Sequence, residues 1–365
     1  MNNRDEKNST LAILKYTGAF IAWVIGSGFA SGQETLQFFS SYGLASYGVV
    51  LINCAGFILL GRIIVTSGYD NKNTEQLNHF TYFCGKKLGT VYSWLIPATL
   101  VLIMSVLLSG GGSALFEYYG INRHIGSALM AFFVLCTYLV GFEKMVKVVS
   151  MISPFLIIFT LFVGTVTVIR DIGGFAEVEK HVSSFDTLKA SPNWVLSSVL
   201  YLSLNFLSGS TYYTALGVKA ESRKSIQLGA LFGAIALIFS IAIMNTAILL
   251  NAENSSSLAI PTLYLAKKIS YSIGAAFSVI LILGIFSSCA AMMWTISGKI
   301  FPADIKKNRI AAVAVAIGTF IMSMFRFSRL VNVFYPLVGY MGLLFVGSVI
   351  YKGIENRRRM KTVRQ

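Results

Sequence analysis

Residues 18–34 read Gly-Ala-Phe-Ile-Ala-Trp-Val-Ile-Gly-Ser-Gly-Phe-Ala-Ser-Gly-Gln-Glu, with three glycines and two serines packed between Gly26 and Gly32. Glycine costs about 1 kcal/mol relative to alanine in a helix interior, so this run favours an interruption. An interrupted helix exposes carbonyls where its first half ends and amide N–H groups where its second half begins. The amide end suits an anionic group and the carbonyls suit a cation. Gly26, Ser27 and Gly28 are therefore the leading candidates for ligand contact, with the hydroxyls of Ser27 and Ser31 as further donors and acceptors. A second run, Ser208-Gly209-Ser210 with Asn205 just before it, has the same small and polar character. The competing explanation for both runs is close helix packing, since Gly28 and Gly32 have small-xxx-small spacing. Trp23, Tyr201, Tyr212 and Tyr213 could wall a pocket or anchor helices, and Asn245-Thr246 could line a site or bridge two helices.

Enzyme chemistry finds little support. His79, His124 and His181 fall in loops or at the ends of apolar segments, and Glu117 and Glu143 lie near opposite ends of theirs. No zinc-protease motif, phosphate loop or nucleotide fingerprint occurs in a fitting context. We expect no enzyme and no cofactor.

The elements that carry these residues are membrane helices. The chain is 55% hydrophobic and 12% charged, where a soluble domain averages about 25% charged residues; mean hydropathy is +0.69. A helical span needs about 20 apolar residues, and ten segments qualify, at 11–32, 44–66, 89–109, 125–142, 146–169, 194–216, 226–250, 272–297, 309–325 and 330–351. Placing both termini in the cytoplasm puts 22 of the 30 lysines and arginines in or beside cytoplasmic segments, as the positive-inside rule requires. The net charge of +15 is thereby explained without nucleic acid, and the basic tail 353–365 reads as an anchor near anionic lipid heads. A cleaved signal peptide is the alternative for the N-terminus, but nine further spans argue against it. Cys54, Cys84, Cys136 and Cys289 lie in spans or a cytoplasmic loop, at no metal-binding spacing.

The longest external connection, 170–193, divides one transmembrane domain (1–365) into a five-span half at 10–170 and another at 193–352. Five is odd, so the second half starts from the opposite side of the membrane, as an inverted repeat requires. The small polar runs fall in the first span of each half. We therefore expect an all-α polytopic membrane protein of about ten helices, a 5+5 inverted repeat with helices 1 and 6 broken. The triple glycine Gly110–Gly112 is expected to end or loosen helix 3.

The string Gly-Ser-Gly-Phe-Ala-Ser-Gly-Gln-Glu at 26–34, in a first span of this length, resembles the YkvI family of bacterial membrane proteins. That family is grouped among permeases of the amino acid–polyamine–organocation superfamily, which share the LeuT-type fold. The resemblance implies a bacterial cytoplasmic membrane location and a secondary transporter working by alternating access. It implies a Na⁺ site made by the carbonyls of Ala22 and Ile25 with the hydroxyls of Ser287 and Ser288, and, as the rival coupling route, a proton carried by Lys147 on span five. It also implies that Glu34 and Arg329 approach each other above the substrate as an external gate.

The expected activity is movement of a small solute, an amino acid or related amine, coupled to Na⁺ or H⁺. Its partners are that solute and the lipid bilayer, with no nucleic acid and no obligate protein partner implied. A ligand-sensing receptor subunit of the germinant-receptor type, using the same fold without transport, is the alternative.

Overall fold

The computed structural model describes residues 3–73, 78–140, 142–181, 185, 188–255, 257–300 and 305–362. Every regular element among them is helical. The first helix, α1 (Asn3–Val24), ends where Gly26 turns to extended backbone at φ −98° and ψ −166°. The Gly26 N–H donates to Val24 O at 2.8 Å rather than to Ala22 O, which takes from the Ala22 carbonyl its helical donor. The chain resumes as α2 (Ser27–Ala30), turns again at Gly32 with φ +84°, and continues as α3 (Gln33–Phe38). Only glycine adopts that φ without steric cost. The break expected in the first span is present, and a second one follows it.

Down the chain come α4 (Ser46–Asp70), α5 (His79–Tyr119), α6 (Arg123–Val140), α7 (Phe142–Asp171) and the single turn α8 (Val178–His181). The second half holds α9 (Trp194–Val218), α10 (Arg223–Leu249), the short α11 (Ala252–Ser255) and α12 (Pro261–Ile269), then α13 (Tyr271–Ile300), α14 (Ile305–Ser323) and α15 (Phe327–Thr362). Each of the ten apolar segments coincides with one of the long helices, the first with α1–α3. Among the described residues, six helices are long and apolar enough to cross a membrane, and two shorter apolar ones lie at Thr10–Val24 and Arg123–Leu139. Large apolar side chains such as Leu51, Phe132, Ile158, Phe239 and Leu344 are exposed on the outer faces, where a membrane protein meets lipid.

Two expectations fail on helix geometry. Helix 6 is not broken: α9 runs without interruption through Ser208-Gly209-Ser210. Its hydroxyls bond back along the same helix, Ser208 Oγ to Leu204 O at 2.7 Å and Ser210 Oγ to Leu207 O at 3.0 Å. Gly209 is small because a Cβ there would strike the Trp23 indole. The run therefore encodes close packing, the alternative weighed for it. Likewise α5 continues through Gly110–Gly112, because a Cβ on Gly112 would collide with Arg123 O and Ser127 Oγ of α6.

The helices pack in pairs that recur when each helix of the first half is exchanged for its counterpart in the second. Thus α1 packs on α10 and α9 on α4; α5 meets α14 and α13 meets α6; α5 meets α15 and α13 meets α7. The largest departure from this pattern is that α9 packs along α15, whereas α1 barely meets α7.

The two ends of the bundle differ. At the end from which α1 starts and at which α15 finishes, here the terminal face, Tyr16 accepts from Glu221 N and Arg223 pairs with Asp70. At the opposite face, hydrogen bonds between distant segments close over α2 and α3. Thr262 donates from its hydroxyl to Ala30 O and from its amide to Ser31 O, at 3.3 Å for the amide. Gln33 Nε2 donates to Leu258 O at 2.7 Å, Ala190 N to Gln37 O at 3.1 Å, and Ser40 Oγ to Asn245 Oδ1 at 2.8 Å.

Candidate functional site

The break in the first helix opens onto a cavity of about 90 Å³. Gly26, Ser27 and Gly28 form one wall; Asn205 and Ser208 of α9 face them; Ser288 and Met292 of α13, Leu100 and Ile103 of α5, and Tyr335 of α15 complete it. Glu34 also lines the cavity and is buried. The turn at Gly32 folds α3 back so that the Glu34 carboxylate lies over Gly28, on the side of the Tyr335 hydroxyl. A Cβ at Gly28 would overlap Glu34 Oε1 and stand 3.1 Å from Tyr335 Oη, so this glycine makes room for the carboxylate.

Two hydroxyls tie the break to α13. Ser27 Oγ donates to Ser288 Oγ at 3.3 Å, and Gly26 faces Ser288 Oγ closely enough that an added Cβ would touch it at 3.9 Å. The Asn205 amide donates to Tyr201 O at 2.9 Å, leaving its side-chain oxygen for the cavity. Trp23 stacks on Tyr212 with centroids 5.4 Å apart, and the Tyr212 hydroxyl donates to Ala19 O at 2.8 Å.

The structure thus gathers Gly26, Ser27, Gly28, Asn205, Ser208 and Ser288 around one space. Gly209 instead packs on Trp23, and Ser210 faces His79 Nε2 at 3.3 Å. Ser287 is buried, and neither it nor Ala22 nor Ile25 is among the residues that line this cavity. The Glu34–Arg329 pair is not formed: Glu34 turns inward to Tyr335, and Arg329 is exposed. The contact between the first helix and the start of α15 exists, but Gln37 makes it, donating to Ser328 O at 2.9 Å. The side chain of Lys147 lies outside the described residues.

Three residues at or around the site escape sequence reading. Tyr335 carries no local signal, being one tyrosine among 17. Thr262 sits in a short amphipathic helix, α12, whose seat over the first helix is a tertiary fact. His79 arrives beside α9 because α5 kinks at Gly85, with φ +74°, and folds its first turn back; the glycine before an apolar run was the available clue.

From the cavity toward the terminal face, Thr211 and Ala215 of α9 and Ala291 and Thr295 of α13 are exposed. They continue the helix faces of Ser208 and Ser288 at three- and four-residue steps. Gly18 of α1, on the same side, has open space around it.

The fold is shared with solved transporters. Two single-residue variants of the Eremococcus coleocola manganese transporter superpose with TM-scores of 0.56 and 0.55 at 15% identity, over 95% of this chain and 86% of theirs. The same transporter in complex with an aromatic bis-isothiourea compound gives 0.52 at 13% identity, over 97% and 87%. No family model matches the chain. In sequence, it is 25% identical over 351 residues to the uncharacterized membrane protein YkvI of Bacillus subtilis, covering 93% of this chain and 96% of that one. It is 24% identical over 345 residues to YyaD of the same organism, with the same coverage. Over nearly its whole length the chain is thus similar to YkvI and YyaD, in keeping with the resemblance read at residues 26–34.

Proposed function

We propose that the protein is a secondary transporter for a small solute bearing an ammonium group, an amino acid or related amine, which binds at the break of the first helix. The observation that carries this reading is the Glu34 carboxylate, buried in the cavity beside Gly28 and Tyr335. A buried charge needs a partner, and a solute ammonium supplies one while Ser27, Asn205 and Ser208 offer hydrogen bonds to the rest of the solute. The manganese cargo of the structural neighbours is not carried over: the cavity's side-chain donors are one carboxylate, hydroxyls, an amide and the Met292 thioether, and no group of three His, Cys, Asp or Glu that could hold a metal occurs among the described residues.

The mechanism is alternating access between two five-helix halves of inverted topology, a reading supported by the exchange pattern of helix pairs. The opposite face is latched by Thr262, Gln33 and Gln37, while exposed Thr211 and Thr295 lead from the cavity toward the terminal face. With the positive-inside orientation, this is an inward-facing state. Coupling is to Na⁺ or H⁺. The freed Ala22 carbonyl and the Ile25 carbonyl with Ser287 and Ser288 serve the former, since hard cations take oxygen ligands; the Glu34 carboxyl serves the latter.

Uptake of radiolabelled amino acids and amines into proteoliposomes, driven by a sodium gradient or a pH gradient, tests the proposal. A driven, saturable uptake lost in Glu34→Gln supports it, and absence of uptake under both gradients opposes it. Loss of sodium-driven uptake alone in the double variant Ser287→Ala, Ser288→Ala assigns the coupling ion.

A further inference from the structure

A second cavity, of about 390 Å³, lies between α4, α10 and α15 near the terminal face. Its deeper wall is apolar, with Ile58, Leu59 and Ile63; its outer wall carries Arg62, Arg223 and Arg357. Gly353 permits the groove's shape, since a Cβ there would meet Ile63 Cδ1 at 2.6 Å.

Arg62 is the unusual residue. Leu51, Ala55, Leu59 and Arg62 are the exposed positions of one stripe along α4, spaced as a single helix face. Leu51 is 71% exposed and Leu59 39%, so this stripe faces lipid. Arg62 precedes the end of α4 at Asp70 by two turns, about 12 Å along the axis. A guanidinium at that depth on a lipid-facing stripe demands an anionic partner or a reach toward the interface. The one acid of the groove, Asp70, is already committed: Arg223 holds both its oxygens, Nε to Oδ1 at 2.8 Å and Nη2 to Oδ2 at 3.0 Å. Neither Arg62 nor Arg357 has an ion-pair partner among the described residues.

We propose that this groove is a binding site for an anionic phospholipid, with Arg62 and Arg357 clamping the headgroup phosphate and the acyl chains lying along Ile58, Leu59 and Ile63. Guanidinium groups match phosphate oxygens bidentately, and the apolar wall continues the phosphate site into the hydrocarbon, which a free phosphate would leave unused. The site is separate from the cavity at the first-helix break and stands or falls independently of the transport reading.

Native mass spectrometry of the purified protein tests it, titrating phosphatidylglycerol against phosphatidylcholine of the same acyl chains. The expected result is a preference for phosphatidylglycerol of about tenfold or more, abolished in Arg62→Gln with Arg357→Gln and undisturbed by millimolar inorganic phosphate. Arg357→Gln alone, on the part of α15 near its C-terminal end, keeps the test independent of span folding and should remove a large part of the preference. Equal retention of the two lipids, or an unchanged preference in both variants, overturns the proposal in favour of simple snorkelling. Displacement of the lipid by inorganic phosphate overturns it in favour of a free-anion site.

Discussion

At the scale of single residues, the account turns on Glu34 and its neighbours. Replacing Glu34 by glutamine keeps the shape and removes the charge. Solute affinity should fall at least about tenfold, because an ion-paired hydrogen bond is worth roughly 1.5–3 kcal/mol, while the protein still elutes as a folded species on size exclusion. Tyr335→Phe removes the hydroxyl that stands by the carboxylate and should cost less, about two- to tenfold. Gly28→Ala puts a methyl where Glu34 Oε1 lies; binding measured by calorimetry should be lost even though alanine is the better helix former. The cavity glycines could be singled out from sequence because three of them in one apolar segment oppose helix formation. Tyr335 could not, because only the folded chain sets α15 beside α3.

At the scale of elements, the contrast between the first and sixth spans shows what small residues encode. Both carry Gly and Ser at mid-segment, yet the first breaks and α9 does not. In the first span Gly26 takes extended backbone and Gly32 a positive φ, so glycine is used for its conformational freedom. In α9 the glycine is used for its lack of a side chain against Trp23, and the serines return their hydroxyls to their own helix. Both runs are small and polar at mid-segment, so sequence reading could find both but not separate a break from close packing. Gly209→Ala should therefore act as overpacking, destabilising by about 1–3 kcal/mol, seen as a lowered Tm. Ser210→Ala should leave Tm within a few degrees, since its hydroxyl only supplements existing helix bonds and a contact to His79. The order and extent of the ten apolar segments were legible because burial in lipid demands long apolar runs. The latch built by α12 was not, because a nine-residue amphipathic helix does not announce its seat.

At the scale of the whole molecule, the proposed alternating-access mechanism makes the hydrogen bonds that close the opposite face and the sparse α1–α7 packing features of one of two states. Thr262→Val with Gln33→Leu removes hydrogen bonds that hold α12 and the preceding loop over the first helix, and should shift the population toward the state open at the opposite face. A Ser208→Cys reporter in the cavity should react with membrane-impermeant thiol reagents from the terminal face in the otherwise unaltered protein, and increasingly from the opposite face in the latch variant. The central claim, an ammonium-bearing solute held by Glu34 at the first-helix break, is tested most directly by thermal stability of the purified protein and of Glu34→Gln against the twenty amino acids and simple amines, with and without sodium. Ligands that bind only the folded state raise Tm. The account predicts that at least one such solute stabilises the parent protein and fails to stabilise the variant; equal stabilisation of both, or of neither, would contradict it.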